Sequence, residues 1–321
     1  MGTVVALGGQ VGGAKLADGL HRLRGRDLAF IVNTGDDYEH LGLSFSPDLD
    51  TALYTLAGIA SASAGWEPEG ETRALSTMLK RLSGLEQPLI GDQALAATLL
   101  RTQGLAAGRR LTEITLDFCR NLAIEARVLP MSDDPVRTHV LTDEGAIPFP
   151  EYFGQLGCEP RARGLEYAGA DQARISDEVL DALHAADLEA VVLCPSNPFH
   201  GIGPILEISG MRELLRKQGA PVVAVTPIVG GKALKGSAGK MMRELGKEPS
   251  ARSVAAQYLR LIDGFVLDQE DAQLVEGVRS LGIDVLAAPT VMRTIEDRIT
   301  LARKVLEFAR SVRERKALEV E

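Results

Sequence analysis

Short runs rich in β-branched residues alternate with amphipathic stretches along most of the 321 residues, and this alternation narrows the possible folds more than any other feature. Thr3–Leu7 and Leu28–Val32 read as buried strands. Between them Leu16, Ala17, Leu20 and Leu23 recur at helical spacing over 14–24. Such a βαβ opening favours parallel strands joined by a right-handed crossover. Ile124–Leu129, Ala190–Cys194, Val222–Thr226, Gly264–Leu267 and Ile283–Ala287 continue the strand series. The expected fold is α/β, a doubly wound, mostly parallel Rossmann-like sheet. Asp50–Ala62, Thr72–Leu82, Leu95–Thr102 and Leu111–Asn121 all read as helices. They are expected to form a mainly helical insertion at about 51–122 within a single domain spanning 1–321. A hairpin is expected where Asp143-Glu144-Gly145 separates Arg137–Thr142 from Ala146–Phe149. The tail from Met292 to about Lys316 reads as a long amphipathic helix.

Composition excludes several classes. The formal net charge is −9 and aromatic residues make up 4%, so single-strand stacking and a sequence-wide attraction to nucleic acid are not expected. Three widely spaced cysteines, Cys119, Cys158 and Cys194, read as reduced thiols of a cytoplasmic protein. No apolar run approaches the roughly 18 residues needed to cross a bilayer, and no basic segment precedes the first strand. The five histidines include no HExxH pair, and there is no GxSxG turn.

Chemistry is expected at the carboxyl ends of the strands. Gly8-Gly9-Gln10-Val11-Gly12-Gly13 lies between the first strand and the first helix. Backbone N–H groups and a helix N-terminus there form an anion site that a ligand can approach closely. Gly8, Gly9, Gly12, Gly13 and Lys15 are therefore candidate binding residues, although Ala14 stands where a Walker lysine would be. Asn33-Thr34-Gly35-Asp36-Asp37 closes the second strand, and Ser46-Pro47-Asp48-Leu49-Asp50 opens the next helix. Asp36, Asp37, Asp48 and Asp50 are candidate Mg²⁺ ligands, since Mg²⁺ is held by one or two carboxylates plus substrate phosphates. A carboxylate there could also deprotonate an attacking hydroxyl. Helix capping and turn formation explain any one of these aspartates equally well.

A second glycine turn follows a later strand. In Thr226–Gly236, Gly230, Gly231, Lys232 and Lys235 form a candidate diphosphate clamp, with a solvated loop as the alternative. Ser196 and Asn197, set between Pro195 and Pro198, offer neutral hydrogen-bonding groups.

These residues resemble the CofD family, the 2-phospho-L-lactate transferases, including the phosphoenolpyruvate transferase form. The resemblance rests on the motifs just quoted and on Gly70-Glu71-Thr72, Gly91-Asp92, Leu129-Pro130-Met131-Ser132-Asp133-Asp134 and Ile202-Gly203-Pro204-Ile205-Leu206, spread in one order over residues 3 to about 268. It implies an Mg²⁺-dependent transfer of a phospho-acid group: 2-phospho-L-lactate, phosphoenolpyruvate or 3-phosphoglycerate. The donor would be a guanosine diphosphate derivative. The acceptor would be the ribityl hydroxyl of 7,8-didemethyl-8-hydroxy-5-deazariboflavin (FO), with release of GMP, in coenzyme F-420 biosynthesis. By the same resemblance Asp48, Asp50 and Asp92 lie beside the acceptor and the reacting phosphate. Asp50 and Asp48 are the catalytic candidates, with Asp50 expected to be the most sensitive position, Asp36 and Asp37 share in metal binding, and the protein is a homodimer. The sequence departs from the family pattern at Gln93 and Ala94, where a basic and an acidic residue are usual, and the following histidine is missing.

Two other readings compete. A nucleotide-sugar-binding regulator of related fold shares the Pro-Ser-Asn-Pro turn but fits Ser46-Pro47-Asp48 and Met131–Asp134 less well. A nicotinamide oxidoreductase would need a cleaner GxGxxG and a single acid closing the second strand.

Overall fold

The protein is described by a computed structural model covering residues 2–84, 90–233 and 237–320. Its centre is a seven-stranded sheet of β1 (Thr3–Gly8), β2 (Leu28–Val32), β3 (Arg127–Pro130), β4 (Leu188–Leu193), β5 (Val222–Val225), β6 (Gly264–Asp268) and β7 (Asp284–Ala288). The spatial order is β3-β2-β1-β4-β5-β6-β7, and every pairing is parallel. Ala6 of β1 stands opposite Phe30 on one side and Val192 on the other. The order reverses between β1 and β4, which in a doubly wound sheet opens a crevice at the carboxyl ends of those two strands.

The strands read as unbroken apolar runs because both faces are covered. Val5, Leu7, Ile31, Leu193 and Phe265 enter one core layer, while Val4, Ala6, Phe30, Val192 and Val266 enter the other. On the second face lie α1 (Gln10–Arg24), α2 (Pro47–Leu56) and the C-terminal helix Ile295–Val320, through Leu16, Leu20, Leu49, Leu53, Leu301 and Val305. Gly19 lets α1 touch the C-terminal helix, since a Cβ there would collide with the Arg298 backbone.

Between β2 and β3 the chain makes a short hairpin, Tyr38–His40 with Leu43–Phe45, and then α2, α3 (Ala74–Ser83), α4 (Ala94–Ala106) and α5 (Leu111–Asn121). Between β3 and β4 it forms an antiparallel three-stranded sheet. Arg137–Thr142 is its central strand, flanked by Gly145–Pro148 and Gly164–Ala168. The expected hairpin at Asp143–Gly145 is therefore present. The strand at 164–168 and the hairpin at 38–45 were not legible in the sequence, because both are short and half-exposed and lack a clear alternation.

The helices α3 and α4 begin in an unusual way. Neither receives a side-chain cap from the residue preceding its first turn. Instead the Asp92 carboxylate accepts the amides of Ala74 and Leu75 at the start of α3, at 3.0 and 2.9 Å, and a close hydrogen bond from Thr72 Oγ1. The Glu71 carboxylate accepts the amides of Gln93 and Ala94 at the start of α4, at 2.8 and 2.9 Å. Each helix is thus capped by the acid that precedes the other. Gly91 makes room for this crossing, because a Cβ there would run into the Glu71 side chain, with Cγ at 2.8 Å.

Candidate active site

The first glycine turn is shorter than the sequence suggested. β1 ends at Gly8, Gly9 adopts an extended conformation, and α1 begins at Gln10. Gly12 and Gly13 therefore lie inside the first turns of α1 rather than in a loop. Small size is what these positions require. A Cβ on Gly12 would meet the Pro195 carbonyl, and one on Gly8 would sit 2.8 Å from Ser196 Oγ. The Pro195-Ser196-Asn197 turn after β4 is packed directly against the start of α1. Ser196 Oγ donates to the Gly9 carbonyl at 2.8 Å and accepts the Gly9 amide at 3.1 Å. Asn197 accepts the Phe199 amide at 2.9 Å through Oδ1, while its buried Nδ2 has no partner among the described residues.

Asp48 sits in the first turn of α2 and reaches this point. Its Oδ1 accepts the Gln10 amide at 2.9 Å, and its Oδ2 accepts Asn33 Nδ2 at 2.9 Å. Gly9 permits the approach, since a Cβ would lie 2.8 Å from Asp48 Cγ. Burial, and next the neighbouring charge of Asp36, push the Asp48 carboxyl up to about 7, although the Asn33 and Gln10 hydrogen bonds oppose the rise. Asp36 is bound through Oδ2 to His200 Nδ1 at 3.0 Å, and its buried Oδ1 has no partner among the described residues. His200 in turn lies 2.7 and 3.1 Å from Gln10 Nε2 through its two ring nitrogens, and stacks on Phe149 at 3.9 Å between centroids. Asn33 Nδ2 also donates to the His200 carbonyl at 2.9 Å. Gln10 holds a left-handed backbone, φ 61°, an unusual cost for a residue with a side chain.

The four aspartates do not form one cluster. Asp37 and Asp50 gather instead about Arg101, which projects from α4 and is 1% exposed. Asp50 is ion-paired with the Arg101 guanidinium, with a second bond from Nη1 to Oδ2 at 3.3 Å. Burial raises the Asp50 carboxyl while Arg101 pulls it back down. Asp37 accepts Ser46 Oγ at 2.7 Å through Oδ2, leaving Oδ1 without a partner among the described residues. Burial pushes Asp37 up to about 8, against the pull of Ser46, Arg101 and Arg137. Asp37 lines a 190 Å³ cavity with Thr34, Tyr38, Phe45, Asp133 and Arg137. Among the described residues no group of three or more His, Cys, Asp or Glu side chains is arranged to hold a metal ion. In place of the expected four-carboxylate metal site, Asp48 neighbours Asp36 and its charge also reaches Asp37, while Asp50 is drawn away into the Arg101 ion pair. The reason is geometric: residues two apart on a helix point about 200° from one another.

The remaining expected residues lie elsewhere. Lys15 Nζ donates to the Met292 carbonyl at 3.1 Å, toward the start of the C-terminal helix. Gly230 and Gly231, with φ of 57° and 71°, turn a hairpin between Ile228–Val229 and Lys232–Ala233. The Gly230 amide donates to Asp271 beyond β6, and Lys232 is exposed. This hairpin follows β5, two strands from β1 in the sheet order. Lys235 lies outside the described residues. Asp92 is engaged in capping α3, and its hydrogen bond from Thr72, followed by the one from the Leu75 amide, holds its carboxyl below the ordinary range.

The sequence reading missed His200, Gln10, Asn33 and Arg101 as site residues. His200 falls between two motifs that drew notice, Pro195–Pro198 and Ile202–Leu206, just past the end of a buried strand. Arg101 is the one charged residue in the Ala94–Ala106 helix, a pattern that signals a buried ionic partner.

Comparison with known proteins assigns the chain. The family described as 2-phospho-L-lactate transferase CofD matches residues 4–295. A phosphoenolpyruvate transferase of Streptomyces griseus is 38% identical over 97% of this chain and 99% of its own length. A 2-phospho-L-lactate transferase of Methanopyrus kandleri is 40% identical over 95% of this chain and 97% of its own. Among solved structures, a member of the upf0052 family from Bacillus halodurans superposes with a TM-score of 0.61 at 16% identity, covering 95% of this chain and 98% of that one, which shows the shared fold. Among the described residues no helix is long and apolar enough to cross a membrane. A match over nearly the whole length, with a doubly wound sheet carrying its acidic site at the strand-order reversal, makes this chain a member of the CofD family of transferases.

Proposed function

We propose that this protein transfers a phospho-acid group (2-phospho-L-lactate, phosphoenolpyruvate or 3-phosphoglycerate) from a guanosine diphosphate-linked donor to the ribityl hydroxyl of FO. The acceptor oxygen forms a bond to the phosphorus bearing the acid, the diphosphate bridge breaks, and GMP leaves. The observation that carries this reading is the buried Asp36–Asp48 pair at the N-terminus of α1, in the crevice where β1 and β4 diverge. The curated relatives act as phosphoenolpyruvate or 2-phospho-L-lactate transferases by name.

Asp48 is the favoured proton acceptor for the hydroxyl. A carboxyl near pH 7 is matched to working pH. Beyond the Gly9 and Gln10 amides that Ser196 and Asp48 engage, the next amides of the first turn of α1 and Asn197 Nδ2, unpartnered among the described residues, supply donors for phosphate oxygens. The hairpin lysine Lys232 offers a cation to the donor's diphosphate. Asp36 fits Mg²⁺ because one of its buried oxygens has no partner among the described residues and hard oxygen ligands suit that ion, which usually completes its shell with substrate phosphates and water. When bound, the cation would offset negative charge on the phosphoryl oxygens. Asp50 contributes from the other side of α2 by fixing Arg101, which draws α4 onto the hairpin strand at Ser44. A cytoplasmic homodimer is the proposed working form, and sedimentation reads its stoichiometry.

The decisive experiment incubates the purified protein with FO, Mg²⁺ and the three candidate donors in competition, and reads the products by mass spectrometry. A phospho-acid ester of FO together with GMP supports the assignment. If every donor remains intact beside unmodified FO, the assignment fails.

A further inference from the structure

Asp36 is held in an unusual way for a carboxylate with an open coordination position. One oxygen is fixed at 3.0 Å by His200 Nδ1, while the other is buried with no partner among the described residues. His200 is itself held on three sides: Phe149 stacks on its ring, Gln10 reaches its ring nitrogens, and Asn33 bonds its backbone carbonyl. Nδ1 is the meeting point of these contacts: it lies 3.0 Å from Asp36 Oδ2 and 2.7 Å from Gln10 Nε2, with the second ring nitrogen 3.1 Å from the same Gln10 amide. Gln10 reaches this place only by adopting a left-handed backbone at the first residue of α1, and an outlier of that kind persists where surrounding contacts over-determine it.

We propose that His200 and Gln10 form a positioning pair that locks Asp36, occupying one carboxylate oxygen so that the other is presented to a divalent cation. The proposal rests on the reading that Asp36 holds the cation. Partners that orient a metal-binding side chain, without touching the metal, typically set its affinity by 10–100-fold. His200 is a positioning residue in this scheme and takes no part in proton transfer.

The test measures Mn²⁺ affinity by electron paramagnetic resonance in the presence of GDP, beside steady-state transfer activity and thermal unfolding. His200→Ala is expected to weaken Mn²⁺ binding about 10-fold or more. His200→Asn, whose side-chain amide can stand near the lost Nδ1, is expected to recover most of that affinity. Gln10→Gly, which removes the side-chain amide while relieving the left-handed backbone, is expected to weaken Mn²⁺ about threefold, less than the 10–100-fold of a direct orienting partner because Gln10 acts on Asp36 only through His200, with no loss of thermal stability. Should His200→Ala fail to fold, the Gln10→Gly and His200→Asn affinities decide. Unchanged Mn²⁺ affinity in the folded variants, even with activity lost, would overturn the positioning role while sparing the transferase reading. Transfer activity in a wild-type protein that binds no Mn²⁺ would overturn the cation reading and this proposal with it.

Discussion

Asp48 and Asp50 stand two residues apart on the same helix turn, and their surroundings differ in kind. Asp48 accepts only neutral donors, Gln10 N–H and Asn33 Nδ2, and has a second carboxylate for a neighbour. Asp50 is closed in an ion pair with a buried guanidinium. The first arrangement leaves negative charge uncompensated and therefore available to a proton, a cation or a substrate. The second consumes its charge inside the protein. A DLD motif that looks uniform in sequence is thus divided by the helix into a reactive side and a structural side.

Four measurements break or sharpen this division. The largest effect is expected from Asp48→Asn, which should lower transfer by about 10³-fold, within the range for a lost general base, while thermal unfolding stays near that of the parent. Near-native turnover would move the reactive side elsewhere. Next comes Asp50→Ala, expected to cost about 3–5 kcal/mol of stability because it strands the buried Arg101 charge. Combining it with Arg101→Met should return much of that stability in denaturant titrations. If the double variant is no better than the single one, the ion pair is not what Asp50 serves.

The third concerns pH. Asp37 and Asp48 have folded-state values raised to about 8 and about 7, above the ordinary carboxylate value that the unfolded chain returns to. Between about pH 4 and those values the folded protein binds more protons than the unfolded one. Stability is therefore fullest at the acid end of this window and declines as pH rises through it, by up to about 1.4 kcal/mol per pH unit for each group. Asp37→Asn should flatten the decline measured in cation-free buffer, and an unaltered slope would contradict the burial argument. The smallest effect is expected from Asp92→Ala, which should cost about 1 kcal/mol through the lost cap. A much larger loss of transfer than of stability would place Asp92 on the reactive side after all.

The fold was legible because both faces of the sheet are covered, so that the strands appear as continuous apolar runs bounded by glycine and helical spacing. Ser196 and the glycines at 8, 9, 12 and 13 were legible for a related reason: a close approach of backbones leaves a mark in residue size. What the sequence could not display was direction. Nothing in Pro47-Asp48-Leu49-Asp50 tells that Asp50 will meet an arginine 51 residues away, since Arg101 arrives from a helix whose placement depends on tertiary packing. His200 was hidden for a similar reason. Its partners Gln10, Asp36 and Phe149 come from three separate segments, and only the junction of β1, β2 and β4 with the small antiparallel sheet assembles them.

The exchanged acids at the starts of α3 and α4 carry a consequence for how this part of the protein opens. Fraying the start of α3 displaces Glu71 and so strips the cap from α4, and fraying the start of α4 displaces Asp92 and strips the cap from α3. The two ends are therefore one latch. Amide protons at Leu75 and Ala94 should exchange with solvent at a common rate, through a shared opening, although nineteen positions of chain separate them.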